Sequence, residues 1–121
     1  MKRPAALAAT ALALAAAVAL PASAATPKLI GTVGPDFKIT LTQGGKPVKS
    51  VKAGSYLLVV SVKSSIHNFV FEKAKGGTFE KEVTAVPFMG TKTLKVRLTA
   101  GTYEFYCRPH EKTMKGTFTV R

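Results

Sequence analysis

From Lys38 onward the chain alternates apolar and polar positions in short runs, each ended by glycine, proline or a polar turn. A period of two is that of a β-strand with one buried face. Lys38 to Thr42 alternates in this way, Gly44-Gly45-Lys46-Pro47 predicts a turn, and Val48 to Val51 continues extended. Ala53-Gly54 turns the chain into Ser55 to Val62, a long apolar strand, and His67 to Glu72 reads as the next. Ala74 to Thr78, with Gly76-Gly77, predicts a loop; Phe79 to Thr84 predicts a short strand; Ala85 to Gly90 is irregular around Pro87. Thr91 to Leu98, Thr102 to Cys107 and Lys115 to Val120 complete the set, and no segment carries the 3.6-residue stripe of a helix. Seven to nine short strands at regular spacing predict an all-β Greek-key β-sandwich.

One segment echoes another. Lys52-Ala53-Gly54-Ser55-Tyr56 and Thr99-Ala100-Gly101-Thr102-Tyr103 each precede an apolar strand, with glycine supplying a tight turn, which reads as shared turn chemistry rather than duplication. Alternation in the second copy puts Tyr103, Phe105 and Cys107 on one face, so the thiol should point into the core at the end of its strand.

The first residues follow a different rule. Met1-Lys2-Arg3 is basic, Ala5 to Leu20 is an alanine-dominated apolar run, and Ala22-Ser23-Ala24 offers a small-residue cleavage site. Residues 1–24 therefore read as a secretory signal peptide and residues 25–121 as one domain. The run is about sixteen residues, short for a membrane span, so the expected product has no integral membrane segment and lies outside the cytoplasm, in the periplasm, the cell envelope or secreted. The single cysteine forbids an intrachain disulfide, so stability must come from packing and any bound metal.

The formal charge of +12 falls to +10 when Lys2 and Arg3 leave. A solvated lysine-decorated β surface is the plain reading; attraction to an acidic partner or an anionic envelope is the functional one. Nucleic acid is not expected, because no recognition motif accompanies the charge.

The chemistry concentrates near the C-terminus. The chain holds two histidines, one of which lies three residues after Cys107 in Cys107-Arg108-Pro109-His110-Glu111-Lys112-Thr113-Met114. With His67, these side chains comprise a thiolate, two imidazoles and a thioether, the ligand set of a mononuclear blue-copper centre. Soft sulfur favours Cu(I) while imidazole holds Cu(II), so one electron can pass with little rearrangement. A short loop leaving a strand at Cys107 can curl round a metal, bring His110 beside it and let Met114 approach as the last strand begins. Helical placement would also cluster Cys107 and His110, but Pro109 and the β-rich flanks count against it.

Taken singly, each residue has a blander reading. Cys107 could be apolar filler or a reactive thiol, Met114 a core residue and His67 a satisfied histidine opening a strand. Their conjunction carries the expectation. Met89 is the rival thioether, and zinc would suit a Cys/His2 set equally well. A Cys/His nucleophile would also want an orienting Asn or Asp and a cleft, and Asn68 is the main group on offer, so no enzyme is expected.

Ser65-Ile66-His67-Asn68-Phe69, the stretch Ala100-Gly101-Thr102-Tyr103-Glu104-Phe105-Tyr106-Cys107-Arg108-Pro109-His110, and Met114-Lys115-Gly116-Thr117-Phe118-Thr119-Val120 together resemble the plastocyanin/azurin group of cupredoxins, especially small secreted bacterial members. The resemblance implies one copper ion held by His67, Cys107, His110 and Met114, with Asn68 tying the two ligand loops together and Pro109 supporting them. It implies a monomeric carrier of single electrons between extracytoplasmic redox partners, with copper delivery, storage or sensing as the alternative. The partner would be a redox protein with an acidic docking surface; Pro87, Phe88 and Met89 read either as core packing with a loop or as an apolar contact for that partner. Two features depart from the family's pattern. His110 and Met114 stand one residue closer than in plant plastocyanin, and charged Glu111 and Lys112 flank His110.

Overall fold

Alternation becomes layering in the computed structural model, which describes residues 25–121; the expected signal peptide, residues 1–24, lies outside them. Ten strands form two five-stranded sheets. In chain order they are β1 (Lys28–Val33), β2 (Ile39–Gln43), β3 (Lys46–Pro47), β4 (Ser50–Val51), β5 (Gly54–Val62), β6 (Phe69–Lys75), β7 (Glu80–Thr84), β8 (Gly90–Leu98), β9 (Gly101–Tyr106) and β10 (Lys115–Val120). One sheet has the order β3-β2-β1-β5-β8 and the other β4-β10-β9-β6-β7. Among the described residues the only helical element is a single 3₁₀ turn, Arg108–His110. The all-β sandwich expected from the sequence is thus the fold. Eight strands have five residues or more, and β3 and β4 are two-residue pairings that pass the chain from one sheet to the other.

The inner faces meet in one core. Leu29, Val33, Leu41, Leu58, Val60, Val96 and Leu98 of the first sheet pack against Phe69, Phe71, Tyr103, Phe105, Phe118 and Val120 of the second. Aromatic rings stack within it, Phe69 on Phe105 with centroids 6.0 Å apart and Tyr103 on Phe118 at 5.3 Å. The repeated turn has a physical basis: the Tyr56 hydroxyl donates to the Lys52 carbonyl at 2.5 Å, and Tyr103 donates to the Thr99 carbonyl at 3.2 Å. Both copies are tyrosine corners, each pinning a strand to the turn four residues upstream.

Several boundaries differ from the sequence reading. Lys28–Val33 forms a central strand, parallel to β5, that the sequence reading left out. Its apolar residues are few and Gly31 interrupts them; pairing on both edges supplies what local pattern does not. The turn contracts to Gly44-Gly45, both with positive φ, so that Lys46 and Pro47 pair with β2. Ala74 and Lys75 extend β6 rather than opening a loop. His67 does not open a strand, because the β6 ladder begins where Phe69 meets Thr84 and leaves His67 and Asn68 in the preceding turn.

Strand registers decide which loops share an end. Val33 lies opposite Val62, Val62 opposite Gly90, Phe69 opposite Thr84, Val70 opposite Tyr106 and Tyr106 opposite Lys115. The loops 34–38, 63–68, 85–89 and 107–114 therefore converge on one end of the sandwich.

Candidate metal centre

The loop after β9 is shaped by local hydrogen bonds. Cys107 caps the 3₁₀ turn, His110 N–H donates to the Cys107 carbonyl at 3.1 Å, and Met114 N–H donates to the His110 carbonyl at 2.8 Å. Cys107 N–H in turn donates to the Met114 carbonyl at 3.0 Å, closing the loop on itself. Pro109 is the second residue of this turn, where its missing N–H costs nothing, so it is compatible with the helical turn that it argues against in the sequence alone. The His110-to-Cys107 backbone bond folds the chain back on itself, and the Cys107 sulfur and His110 Nδ1 come within 3.6 Å.

His67 arrives from the loop before β6. Its Nδ1 lies 3.2 Å from Nδ1 of His110 and 3.8 Å from the Cys107 sulfur, while Nδ1 of His110 lies 3.6 Å from that sulfur. The circumradius of this triangle, the product of its edges over four times its area, is about 2.1 Å, within the range of metal–nitrogen and metal–sulfur bonds. Three donors thus surround a point at bonding distance from all of them. His67, Cys107 and Met114 are fully buried, and His110 is partly exposed.

The tautomer of His67 is set from outside the triangle. Its Nε2 lies 2.9 Å from the carbonyl of Asp36, which can only accept, so the proton sits on Nε2 and the Nδ1 lone pair faces His110 and Cys107. Neighbouring Phe37 presents its ring edge-to-face to both imidazoles, with centroids 5.2 Å from His67 and 5.1 Å from His110. The sequence reading missed both Asp36 and Phe37. Gly34-Pro35 is a turn signal that could have drawn notice, but no spacing rule links it to His67, and the Asp36 contribution comes from its backbone.

Asn68 bridges the two ligand loops. Its backbone N–H reaches the Cys107 sulfur at 3.5 Å, and its side-chain oxygen accepts the Arg108 N–H at 2.8 Å. Beyond the loop, Arg108 pairs with Glu80 at 2.6 Å and Glu82 at 3.5 Å, and the Tyr106 hydroxyl donates to Glu80 at 3.2 Å. Burial, the largest influence, pushes the Tyr106 phenol above its ordinary pKa, with Arg108 acting against it.

Pro87, Phe88 and Met89 lie on another loop of the same end. Pro87 and Met89 are exposed; Phe88 is half-buried, packs against the core and carries the Lys92 ammonium 5.1 Å above its ring. Among the described residues a second group, Glu72, Glu104 and Glu111, also brings potential ligand atoms together, but its members are half-buried or exposed.

Residues 45–121 match the model of the family described as copper binding proteins, plastocyanin/azurin family. The chain belongs to this family. No curated protein matches it. Among solved structures it resembles a rusticyanin point mutant at 21% identity and a TM-score of 0.59, over 83% of this chain and 79% of that one. It also resembles a reduced amicyanin mutant at 20% identity and a TM-score of 0.53, over 82% and 87%. Another rusticyanin at 18% identity, described as a copper protein, has a TM-score of 0.58 over 79% and 78%. These likenesses speak to the fold, which is that of a cupredoxin. The cofactor of this blue copper protein is copper, and the group His67, Cys107, His110 and Met114 is compatible with one mononuclear ion.

Proposed function

We propose that the chain carries single electrons between redox partners outside the cytoplasm, through one copper held by His67, Cys107, His110 and Met114. The triangle of two imidazole nitrogens and a thiolate sulfur carries this reading, because its edges already surround a point at metal–ligand distance. Bound copper supplies one-electron exchange between Cu(II) and Cu(I). The protein's part is to hold donors still: Asp36 fixes His67, the 3₁₀ turn fixes Cys107 against His110, and the closed loop fixes Met114. Burial of three of the four side chains favours a resident ion over one handed onward, which sets delivery or storage behind electron transfer. With four protein ligands a bound ion would have no open position for a substrate, in keeping with a carrier rather than an enzyme.

The partly exposed His110 edge is the route for the electron. Around it, the loops of the same end carry exposed apolar side chains: Phe37 at 58%, Ile66 at 49%, Val86 at 43% and Met89 at 57%. A transient redox partner would seat here, with Pro87 and Met89 contributing to its contact. Five of the six acidic residues, Glu72, Glu80, Glu82, Glu104 and Glu111, lie on or beside the β6-β7-β9 side of the second sheet, leaving the rest of a basic chain to attract an acidic partner. The leader read at residues 1–24 supports an extracytoplasmic setting; among the described residues no helix is long and apolar enough to cross a membrane.

Copper titration of the purified protein, followed by visible absorption and electron paramagnetic resonance, tests this function. An intense thiolate-to-Cu(II) band with narrow hyperfine splitting, lost reversibly on reduction and absent in Cys107→Ser, is expected. A pale spectrum despite tight binding would overturn electron transfer in favour of copper handling or a zinc site.

A further inference from the structure

Asn68, Glu82 and Arg108 form a closed ring. The Asn68 Nδ2 donates to Glu82 Oε1 at 3.1 Å, Glu82 meets the Arg108 guanidinium at 3.5 Å, and the Arg108 backbone N–H returns to Asn68 Oδ1 at 2.8 Å. We propose that Glu82 is a positioning residue for the thiolate: it locks the Asn68 amide in the one orientation that holds the Cys107 peptide and sulfur in place. This inference rests on the copper reading of Cys107.

The donor and acceptor inventory makes the ring directional. A carboxylate accepts and a backbone N–H donates, so the Asn68 amide must turn its nitrogen to Glu82 and its oxygen to Arg108; the flipped amide would set donor against donor and oxygen against oxygen. With the amide so held, the backbone N–H of the same residue points at the Cys107 sulfur, 3.5 Å away. Hydrogen bonding around a copper-bound cysteine sulfur tunes the reduction potential.

Glu82 reaches this centre from β7, the edge strand of the sheet whose strands β6, β9 and β10 flank the ligand loops. The ion pair contributes less than the amide contact. Its side chains are 50% and 42% exposed, so solvent screens the charges, whereas Asn68 is buried. Glu80 holds the other side of the guanidinium at 2.6 Å but makes no hydrogen bond with Asn68. The two glutamates can therefore be told apart by experiment: one orients the amide, while the other pairs with Arg108 and accepts from the Tyr106 hydroxyl.

Glu82→Ala, Glu82→Gln and Glu80→Ala are to be compared with the full chain in two states. In the copper-loaded protein, Glu82→Ala should raise the copper dissociation constant about tenfold, the low end of the effect of losing an outer-shell partner, and shift the reduction potential. Glu82→Gln, which keeps an acceptor oxygen for Asn68, should restore both, and Glu80→Ala should alter neither. In the copper-free protein, nuclear magnetic resonance should show the Arg108 N–H and the Asn68 side-chain amide losing exchange protection in Glu82→Ala and keeping it in Glu82→Gln. Wild-type affinity and potential in Glu82→Ala would overturn the proposal, as would an equal loss in Glu80→Ala or no rescue by glutamine. A wild-type protein without a blue spectrum would instead overturn the copper reading, and the exchange data on the copper-free protein would still decide whether Glu82 orients the amide.

Discussion

Small residues and hydroxyls set the packing within the second sheet and the turn that enters it. Gly116 lies directly across from Phe105 in the β9–β10 pair, and a Cβ placed there would run into the Phe105 ring. Gly116→Ala should therefore destabilise the protein by about 1–3 kcal/mol, the usual cost of overpacking, seen as a lower urea midpoint with an unchanged slope. Tyr103 has a comparable role through its hydroxyl, which donates to the Thr99 carbonyl and accepts the Thr99 N–H, both at 3.2 Å. Tyr103→Phe should cost about 1–2 kcal/mol, because a partly buried backbone N–H loses its acceptor; a urea melt within error of wild type would contradict this. The turn and its tyrosine were legible as a repeated phrase in the sequence. The backbone partner was not, since that contact exists only once the turn has folded.

Across elements, the outer face of the second sheet carries an unfavourable pattern. Glu72 of β6 lies opposite Glu104 of β9 on one side and Glu80 of β7 on the other. Desolvation by burial raises the Glu72 pKa, and repulsion from Glu104, Glu80 and Glu111 raises it further, with Arg108 opposing them. The folded state thus binds this proton more tightly than the unfolded chain. The contribution of Glu72 to stability is greatest below the unfolded-state pKa and is lost as pH rises through the elevated folded value. Glu72→Gln should stabilise the protein at pH 7 by about 0.5 kcal/mol, the scale of a cross-strand like-charge pair. The gain should vanish on acidification to about pH 4, near the unfolded-state pKa. A pH series of urea melts on both proteins checks the sign.

At the scale of the whole molecule, metal and fold support each other. The described domain has a lone buried cysteine, so neither an intrachain disulfide nor its reduction can alter stability. Copper can, because the donor triangle exists only in the folded state: at free copper 1,000 times its dissociation constant, binding should add about 4 kcal/mol. Differential scanning calorimetry with and without a chelator measures this. A Tm unchanged by copper would mean that the triangle does not bind the ion.

Residue order alone determined a great deal here. Period-two alternation, punctuated by glycine and proline, is a local property that demands a sandwich, and the Cys107-x2-His110-x3-Met114 spacing places three donor types on one short loop. Donor chemistry then pointed to copper, because few other ions call for a thiolate, imidazoles and a thioether together. Tertiary structure decided the rest. His67 meets Cys107 forty residues away because β6 pairs with β9 in one register, a long-range choice with no local signature. The Asp36 carbonyl is backbone, and so invisible to any reading of side-chain types. Nothing in the sequence singles out Glu82; strand pairing sets it against Asn68. Even Pro109, which argues against a helix when read alone, sits inside the turn that joins Cys107 to His110, because a proline in a first turn loses no hydrogen bond.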